Sequence, residues 1–507
     1  MKSKVLAFFL IVFLVLAGCT SSKSKDNSTA SSEKKRDSLV VAQASDAGTL
    51  DPQKQGKMPD MNILINMFDT LLTRDENNKL APGLATEWKA IDDTTWQFKL
   101  RKDVKFHNGE PFNAEAVKFS IDRLNNPDTK SPIVELKTVK EVVVIDEYTV
   151  NLVTSASDPI LPNKTVLFGG VMVPPNYIKE KGDDYFAQHP VGTGPYKFVS
   201  WQKDHQVVME ANPDYFRGAP KMKKLTFRVI PNLADMVAAT KTGEVDIATS
   251  LTPDVATQLK SDSNVNVIST PWIRTFYMVI DTTKEGPMAK KEVRQAMNYA
   301  VNVKQIIDTV LGGHAQRVAT IVPSQNFGVD KSIKPFKYNI EKAKKLLAQA
   351  GYPDGFSTEM DANNLDVDIV QAIAAELGKV GIKVKVNLMD GATLTNNIAA
   401  KKASPLYYLG NTGWTMDALS NFQSYIKSDR RYNAWKNAEA DKLVDIEEQS
   451  IDSKTRLDAF SQIQKLLIDE SPYLFLYQLD GLYGMSKDVE WKPNVMGVLN
   501  MYNASIK

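Results

Sequence analysis

Two periodicities of apolar and polar residues alternate along most of the chain. A period of two, typical of a half-buried strand, is clearest in residues 95–100, Thr-Trp-Gln-Phe-Lys-Leu. Similar runs predict strands at residues 39–43, 225–230, 245–248, 265–268, 276–280, 382–388 and 474–478, and a hairpin at residues 141–153. Helical spacing predicts helices at residues 62–72, 114–124, 233–241, 291–300, 304–311, 340–350 and 367–380. Because strands and helices alternate after residue 225, we expect an α/β fold with a largely parallel sheet and right-handed crossovers.

Capping residues support several of these boundaries. Asn113 is a good N-cap for the helix that follows it, and Glu115 places an acidic group in its first turn. Gly351 is suited to end the helix before it. Asn339, immediately before residues 340–350, opens that same helix. These helices are therefore predicted with defined ends.

The first residues have the features of a bacterial lipoprotein signal. Lys2 and Lys4 precede an apolar run at residues 5–17 that is too short to span a bilayer comfortably. The sequence Leu-Ala-Gly-Cys at residues 16–19 then ends in Cys19, the one cysteine of the chain. The pattern predicts cleavage before Cys19, lipidation of this residue and attachment to a membrane surface. The alternative is an ordinary secretory signal with an incidental cysteine.

Composition defines the class of the remaining chain. Residues 20–38 are rich in Ser and Lys and poor in large apolar residues, which predicts a solvated tether. With 507 residues, the chain is too long for a single compact core. The net charge is only +2, and the basic excess lies near the N-terminus, so charge gives no argument for nucleic-acid binding.

No constellation of residues points to catalysis. The four histidines are scattered without the spacing of metal ligands. There is no Gly-x-Ser-x-Gly, phosphate-binding loop or His-Glu-x-x-His sequence. His107 follows the pattern of a turn, Phe-His-Asn-Gly-Glu-Pro, and is interpreted as structural rather than as a ligand or a catalytic group. We therefore expect a binding protein, with no enzymatic activity, cofactor or metal.

Two stretches resemble the signatures of a known family. Residues 189–218 begin His-Pro-Val-Gly-Thr-Gly-Pro-Tyr and continue through alternating strands to an Asn-Pro turn. Residues 293–302 read Val-Arg-Gln-Ala-Met-Asn-Tyr-Ala-Val-Asn. Both are similar to segments of the extracytoplasmic solute-binding proteins of peptide and nickel ABC importers (family 5). The resemblance extends over nearly everything after the tether.

The resemblance implies a two-lobed, periplasmic-binding-protein-like α/β fold of class II, cluster C type. Two crossovers, near residues 270 and 480, would form the hinge. The implied organisation is a signal peptide at 1–18, a lipidated cysteine and tether at 19–38, lobe I at 39–75, 188–270 and 481–507, an inserted subdomain of lobe I at 76–187, and lobe II at 271–480.

Two loops of lobe I are candidates for ligand contact. In the family, the first strand leads to a loop at the ligand cleft, here containing Thr49 and Leu50. Gly192, Thr193 and Gly194 permit a close approach of the backbone. This second loop either faces the cleft or only positions the flanking strands, and both interpretations stay open. It is not a dinucleotide-binding fingerprint, because the third glycine and the following helix are missing.

The richest recognition stretch lies at residues 407–417. An apolar strand there ends in a loop with Trp414, Thr415 and Asp417, and ligands of open α/β sheets lie at such strand ends. Asp417 resembles the carboxylate that contacts the ligand amino group in many relatives. The usual Asp-Pro-Asp-Asn-Phe continuation is replaced here, and Asp417 could instead be a loop residue or an N-cap. Trp414 either stacks on the ligand or only lines the cleft.

A ligand carboxylate would require a cationic partner. Arg274 is the candidate included in the predicted site, together with neighbouring Tyr277 at the crossover into lobe II, whereas Arg430 and Arg431 are further possibilities. Asn433 and Trp435 belong to a segment that follows the ligand loop in the family.

The resemblance implies a monomeric substrate-binding lipoprotein on the extracytoplasmic face of the bacterial cell membrane. It would capture short peptides by closure of the lobes and deliver them to an ABC permease, whose ATPase subunits hydrolyse ATP. Alternatives are another solute (a nickel chelate, glutathione, an opine or a sugar), a secreted hydrolase, or a pheromone sensor or chaperone-like surface protein.

Overall fold

A computed structural model describes residues 36–167 and 169–507. The predicted signal peptide, Cys19 and all but the end of the tether lie outside these residues. Asp37–Lys507 forms one compact unit. Its strands are β1 Ser38–Gln43, β2 Leu72–Arg74, β3 Leu80–Pro82, β4 Ala85–Asp92, β5 Thr95–Leu100, β6 Val139–Asp146, β7 Thr149–Thr154, β8 Tyr196–Gln202, β9 Gln206–Ala211, β10 Lys224–Val229, β11 Ile247–Ala248, β12 Val265–Ile280, β13 Ala315–Arg317, β14 Phe356–Asn363, β15 Ile382–Met389, β16 Leu406–Thr412, β17 Tyr473–Ser486, β18 Val489–Glu490 and β19 Ser505–Ile506.

Helices cover both faces of the main sheet and fill the connections between strands. They are α1 Met58–Leu64, α2 Ala114–Asn125, α3 Leu161–Lys164, α4 Pro175–Lys181, α5 Asp183–Phe186, α6 Leu233–Thr242, α7 Pro253–Lys260, α8 Lys291–Ala300, α9 Val303–Thr309, α10 Ile340–Gln349, α11 Val367–Gly378, α12 Gly391–Ala399, α13 Ala418–Tyr425, α14 Ala438–Gln449 and α15 Ser453–Glu470. Among the described residues, no helix combines the length and the apolar character needed to cross a bilayer.

The main sheet passes through both lobes as one continuous order of neighbouring strands. Its strand order is β15-β14-β16-β12-β17-β11-β1-β10-β9-β8, and β13 pairs with β17 beside this path. Parallel pairs surround β1 in lobe I and β14 in lobe II, whereas the strands between them pair antiparallel. The sheet is therefore mixed, and the expectation of a largely parallel sheet is wrong: parallel pairing is confined to the neighbours of β1 and β14, while β8, β9 and β10 also pair antiparallel. The two-lobed α/β architecture itself is confirmed.

The long strands β12 and β17 connect the lobes at the two predicted crossovers. Their antiparallel register shifts between Pro271 and Thr275, so the ladder is interrupted at its midpoint. The backbone groups freed there are satisfied by other partners: the Gln478 amide donates to the Trp272 carbonyl (2.6 Å), and the Ile273 N–H donates to the Val495 carbonyl (2.9 Å). The hinge is thus a strand pair with a bulge rather than a pair of loose linkers.

Hydrophobic cores fill the two lobes and the insert, and the core of the insert also includes Leu72 of lobe I and Ile273 and Met416 of lobe II. In lobe II, one core joins β14 and β16 to helices α8 to α11, and another joins β12 and β16 to helices α13 to α15. The inserted stretch carries its own antiparallel sheet, in the order β4-β5-β7-β6, which packs on α2. The insert therefore packs against residues of both lobes.

The helix predicted at residues 62–72 is shifted. It begins at Met58, with Pro59 at a favourable position in the first turn, and ends at Leu64. Beyond it, Thr70 forms a bridge with Val171, and Leu72 enters strand β2. The apolar spacing of Ile63, Met67 and Leu71 reflects burial of this segment from several sides, and only its first part is helical.

Candidate functional site

A cavity of about 430 Å³ lies between the two lobes at the hinge. This volume is within the range of small-molecule sites, roughly 300–1,000 Å³. Lobe I contributes α1, the loop after β11, the end of β17 and the C-terminal segment, whereas lobe II and the hinge contribute β12, β16 and the loop after it. The lining residues are Met58, Asn62, Thr249, Ser250, Trp272, Ile273, Arg274, Gly410, Asn411, Thr412, Trp414, Tyr425, Tyr483, Met496, Gly497 and Leu499.

Trp272 forms one wall of the cavity, and its ring packs against the backbone at Gly481 and Gly497. A Cβ on Gly481 would lie 2.0 Å from the indole atoms Cε2 and Nε1, and a Cβ on Gly497 would lie 3.2 Å from the same atoms. The indole therefore packs directly on the backbone at both positions. Its Nε1–H donates to the Tyr483 hydroxyl (3.1 Å). The interrupted ladder of the hinge thus presents an immobilised aromatic ring to the cavity.

Arg274 is the cationic group of the cavity. It lies opposite Thr412 in the β12–β16 register, and its guanidinium lies 4.8 Å from the centre of the Phe276 ring. Gly410 makes room for this ring, because a Cβ there would lie 2.6 Å from a Phe276 carbon. Within residues 36–167 and 169–507, no carboxylate lies within ion-pairing distance of Arg274. The guanidinium is exposed and can receive an anionic ligand group.

Neutral polar groups beside Arg274 on β16 and in the loop after β11 also line the cavity. The Thr275 hydroxyl donates to the Asn411 side-chain oxygen (2.5 Å), while the Asn411 amide nitrogen is buried without a hydrogen-bond partner among the described residues. Ser250 adopts a left-handed conformation (φ 57°), which is uncommon for a residue with a side chain and frequent at ligand sites. These groups offer donors and acceptors to a polar ligand.

The loop that carries Trp414 is held to strand β2 of lobe I and to the inserted subdomain. The Thr415 carbonyl accepts hydrogen bonds from Arg74 (2.6 Å) and from the Asn163 amide (2.8 Å). Thr415 itself is buried, and its hydroxyl bonds to Ser420 (2.8 Å). Of this predicted loop, the structure brings Trp414 to the cavity and turns Thr415 away from it.

Asp417 has a structural role, which corrects the prediction that it binds a ligand amino group. Its side chain is buried, ion-pairs with Arg456 (2.6 Å) and accepts the N–H of Leu419 (3.0 Å) as the N-cap of α13. Burial raises the pKa of Asp417, and Arg456 opposes that rise. Nearby Glu447 is fully buried, and burial raises the pKa of its carboxyl to about 10, so it is neutral at pH 7. The N-cap alternative raised from the sequence describes Asp417 better.

The signature loop, residues 190–195 near the start of the first family signature, packs on lobe I instead of facing the cavity. A Cβ on Gly192 would lie 2.0 Å from the Met67 carbonyl oxygen, and one on Gly194 would lie 2.5 Å from the Met67 carbonyl carbon. The Thr193 hydroxyl donates to the Asp69 carboxylate (2.9 Å). The predicted ligand contacts of Gly192, Thr193 and Gly194 are therefore corrected in favour of the strand-positioning alternative.

His107 fastens this loop from the side of the inserted subdomain. Its Nδ1 accepts the Gly192 N–H (3.3 Å) and its Nε2–H donates to the Gly194 carbonyl (2.9 Å), an arrangement that requires the neutral ring. Burial lowers the pKa of His107 to about 4. The structural interpretation of this histidine agrees with its contacts.

Protonation of His107 is expected to weaken the fold below neutral pH. Because its folded pKa lies below the unfolded value of about 6.5, its contribution is complete above pH 6.5 and is lost as the pH falls toward 4. Between pH 7.5 and pH 5.0, the chain should lose about 2 kcal/mol of unfolding free energy through this group. Urea unfolding of the wild type and of His107→Gln at both pH values measures the difference, and equal losses in both proteins would contradict the assignment.

Other predicted contacts also lie away from the cavity. Thr49 borders a different hollow, of about 820 Å³, together with His189 and Trp201. Leu50 is fully buried in the core of lobe I, and Tyr277 is buried in the core of lobe II, where its ring meets Tyr473 edge-on. Side chains so placed contact neither the cavity nor a solute within it.

Asn433 and Trp435 lie at a third cavity, of about 340 Å³, within lobe II. The Asn433 side chain caps the local turn by donating to the Ile426 carbonyl and accepting the Trp435 N–H. Of the twelve predicted contacts, the structure therefore brings Arg274 and Trp414 together at the interlobe cavity, and places the others elsewhere.

Most of the cavity wall is not indicated by the sequence. Trp272, Tyr483 and the segment from Met496 to Leu499 were not predicted as contacts. Trp272 could have been noticed from its position beside Arg274 at the crossover. The last segment joins the site only because Leu499 and Met501 are hydrogen-bonded to Asn62 and Asn66, more than 430 residues earlier.

In the part of the chain that the structure describes, no cluster of three His, Cys, Asp or Glu side chains is arranged to hold a metal ion. The cavity thus offers a guanidinium, amides, hydroxyls and aromatic rings. These groups can bind a solute and exclude water from it.

Comparisons with known proteins agree with this architecture. A family model described as bacterial extracellular solute-binding proteins, family 5 (middle), matches residues 79–433. The glutathione-binding protein GsiB of Salmonella choleraesuis (strain SC-B67) is 28% identical over 454 residues, covering 86% of this chain and 88% of the relative. The probable D,D-dipeptide-binding periplasmic protein DdpA of Escherichia coli (strain K12) is 27% identical, covering 93% of this chain and 94% of the relative.

Solved structures share the fold. HbpA2 from Haemophilus parasuis superposes with a TM-score of 0.84 at 24% identity, covering 93% of this chain and 100% of that chain. AgaA from A. tumefacien R10, in complex with agropinic acid, superposes with a TM-score of 0.75 at 26% identity, covering 93% and 99%.

Proposed function

The chain belongs to family 5 of the bacterial extracellular solute-binding proteins, the substrate-binding components of ABC importers, and from this premise we propose that it captures short peptides outside the membrane. In this proposal the protein is a lipoprotein anchored through Cys19. Closure of the lobes on the peptide produces the form that docks on the permease.

The interlobe cavity is the observation that carries the peptide proposal. Both lobes contribute to its wall, so a bound solute bridges them and favours the closed arrangement. Arg274 is available for a terminal carboxylate, and the amide and hydroxyl groups of Asn62, Asn411 and Thr412 can pair with peptide groups. Trp272 and Trp414 supply flat apolar surfaces against which different side chains can pack.

Glutathione is the second candidate. GsiB, which is named as a glutathione-binding protein, is among the similar relatives. Glutathione is itself a short peptide with two carboxylates and one free ammonium, and the exposed Arg274 guanidinium suits one of the carboxylates.

A ligand panel tests the proposal. Thermal unfolding of the purified chain is followed with di-, tri- and longer peptides, glutathione, a nickel–histidine chelate, agropinic acid and a sugar. A peptide at a hundred times its Kd should add about 2.7 kcal/mol to the unfolding free energy. X-ray scattering should show a smaller radius of gyration with the same peptide. Stabilisation by the chelate, the opine or the sugar, with none by any peptide, would reject the peptide assignment.

Replacement of Cys19 tests the anchor. We expect Cys19→Ser to abolish lipid modification and to weaken membrane attachment, because acyl chains supply the apolar surface that enters the bilayer. Fractionation of cells shows the location of the protein, and mass spectrometry of the mature N-terminus shows the modification. An unmodified N-terminus in the wild type would favour the ordinary secretory signal.

A further inference from the structure

The wall of the interlobe cavity carries a positive side chain and, among the described residues, no negative one. Among its lining side chains, Arg274 is the one with a formal charge, and no Asp or Glu of the described residues lines the wall. The other polar groups there are neutral amides and hydroxyls. The cavity can therefore neutralise a negative group on a solute, but it has no carboxylate for a positive one.

The carboxylates on neighbouring elements already have other roles. Asp60 of α1 is buried and accepts the backbone N–H groups of Gly48 (2.7 Å) and Gly56 (3.3 Å). Asp417 is buried against Arg456 (2.6 Å). Neither side chain lines the cavity, and neither can turn into it without breaking these contacts. Burial raises the pKa of Asp366, immediately before α11, and the Arg274 guanidinium opposes that rise, but this carboxylate does not line the cavity either.

The aromatic wall is arranged for packing. The Trp272 ring already lies against the backbone at Gly481 and Gly497. Together with Met58, Met496 and Trp414, it forms the apolar part of the cavity wall. An acyl group or an apolar side chain can fill this part, whereas an ammonium placed there would lose hydration without gaining a counter-ion.

We propose that this cavity selects solutes that carry a carboxylate and lack a free ammonium, such as short peptides whose amino end is acylated. The inference rests on the proposed function, since it assumes that the interlobe cavity holds the peptide. The carboxylate pairs with Arg274 beside Thr412, and the blocked end packs against the aromatic and methionine side chains. The free ammonium of an ordinary peptide would enter the same space without a partner.

Three matched ligands test this inference. Calorimetric titration of the full purified chain compares a Leu-Ala-Phe tripeptide in its free form, in its N-acetylated form, and in a form both N-acetylated and C-amidated. We expect the acetylated acid to bind at least tenfold more tightly than the free peptide. Amidation of its carboxyl end should weaken binding at least tenfold.

A variant locates the carboxylate partner. Arg274→Gln should bind the acetylated acid and its amide equally, because the group that distinguishes them is removed, whereas Arg274→Lys should retain part of the difference. Arg228→Gln is the matched control: Arg228 pairs with Glu244 on the surface of lobe I, and its replacement should leave all three affinities unchanged. Unfolding midpoints equal to the wild type show that the Arg274 variants are folded.

The outcomes separate this inference from the proposed function. A free peptide that binds as tightly as the acetylated one, or more tightly, overturns the selection against ammonium and leaves peptide capture standing. Equal affinity for the acid and the amide in the wild type overturns the role of Arg274. Absence of binding by all three forms, and by other peptides, overturns both proposals.

Discussion

Replacing Asp417 by Asn is expected to lower the unfolding free energy by about 2–4 kcal/mol and to leave peptide affinity within about threefold of the wild type. Removing one member of a buried ion pair leaves the other charge without compensation, a cost of roughly 3–5 kcal/mol in other proteins. Arg456 would be that remaining charge. Asn can still cap α13, so the change isolates the ion pair from the cap.

Ionisation of Glu447 should reduce the unfolding free energy that Asp417→Asn loses. Its carboxyl is neutral because burial raises its pKa to about 10, and the Asp417 charge adds to that effect. Without Asp417, Glu447 can ionise and partly compensate Arg456. We therefore expect Glu447→Gln alone to cost little, and the double variant to lose more than the sum of the two single losses.

Urea unfolding of the two single variants and the double variant measures this coupling, with exposed Asp429→Asn as the control. An Asp417→Asn protein with unchanged stability and a tenfold loss of affinity for free peptides would restore Asp417 as the ammonium partner. That result would also contradict its placement against Arg456.

Gly192→Ala is expected to destabilise the chain by about 3 kcal/mol or more. The added Cβ would lie 2.0 Å from the Met67 carbonyl oxygen. That oxygen cannot easily retreat, because it accepts the Gly194 N–H (2.9 Å). Backbone on both sides must shift, and the His107 hydrogen bonds to the same loop would be strained with it.

Gly378→Ala in helix α11 is the matched control. No atom beyond its own helix lies within 4 Å of a Cβ at that position, which is the last residue of α11, and alanine is the better helix former, by up to about 1 kcal/mol. Denaturant unfolding should thus show a lower unfolding free energy for Gly192→Ala and a slightly higher one for Gly378→Ala. A Gly192→Ala protein of normal stability with impaired ligand binding would instead favour the cleft-facing alternative for the signature loop.

The sequence predicted the architecture better than the site. The family resemblance and the alternating pattern indicated the two lobes and the two crossovers, because these depend on regular features spread over long segments. The site depends on directions of single side chains. Trp414 follows the expected strand end and Arg274 lies at the expected crossover, whereas Asp417 turns inward because Arg456, thirty-nine residues later, neutralises it.

Other predictions failed because the cause lies far away in the chain. Nothing local to residues 192–194 shows that Met67 packs against the two glycines. Likewise, Trp272 becomes a wall of the cavity only because residues 481 and 497 have no side chain to displace it. Such complementarity between distant positions is a property of the packed fold and leaves no periodicity in the sequence.

The interrupted β12–β17 ladder has a consequence for transport. Trp272 and Arg274 lie in the stretch where the strand register shifts, so a solute that contacts them touches the pivot itself. The same few residues therefore determine both how tightly a solute binds and whether the lobes close correctly around it. A solute that fills the cavity but holds the pivot at another angle would occupy the protein without being passed on, and would act as an inhibitor of uptake. Affinity and import rate are therefore expected to diverge across a series of related solutes.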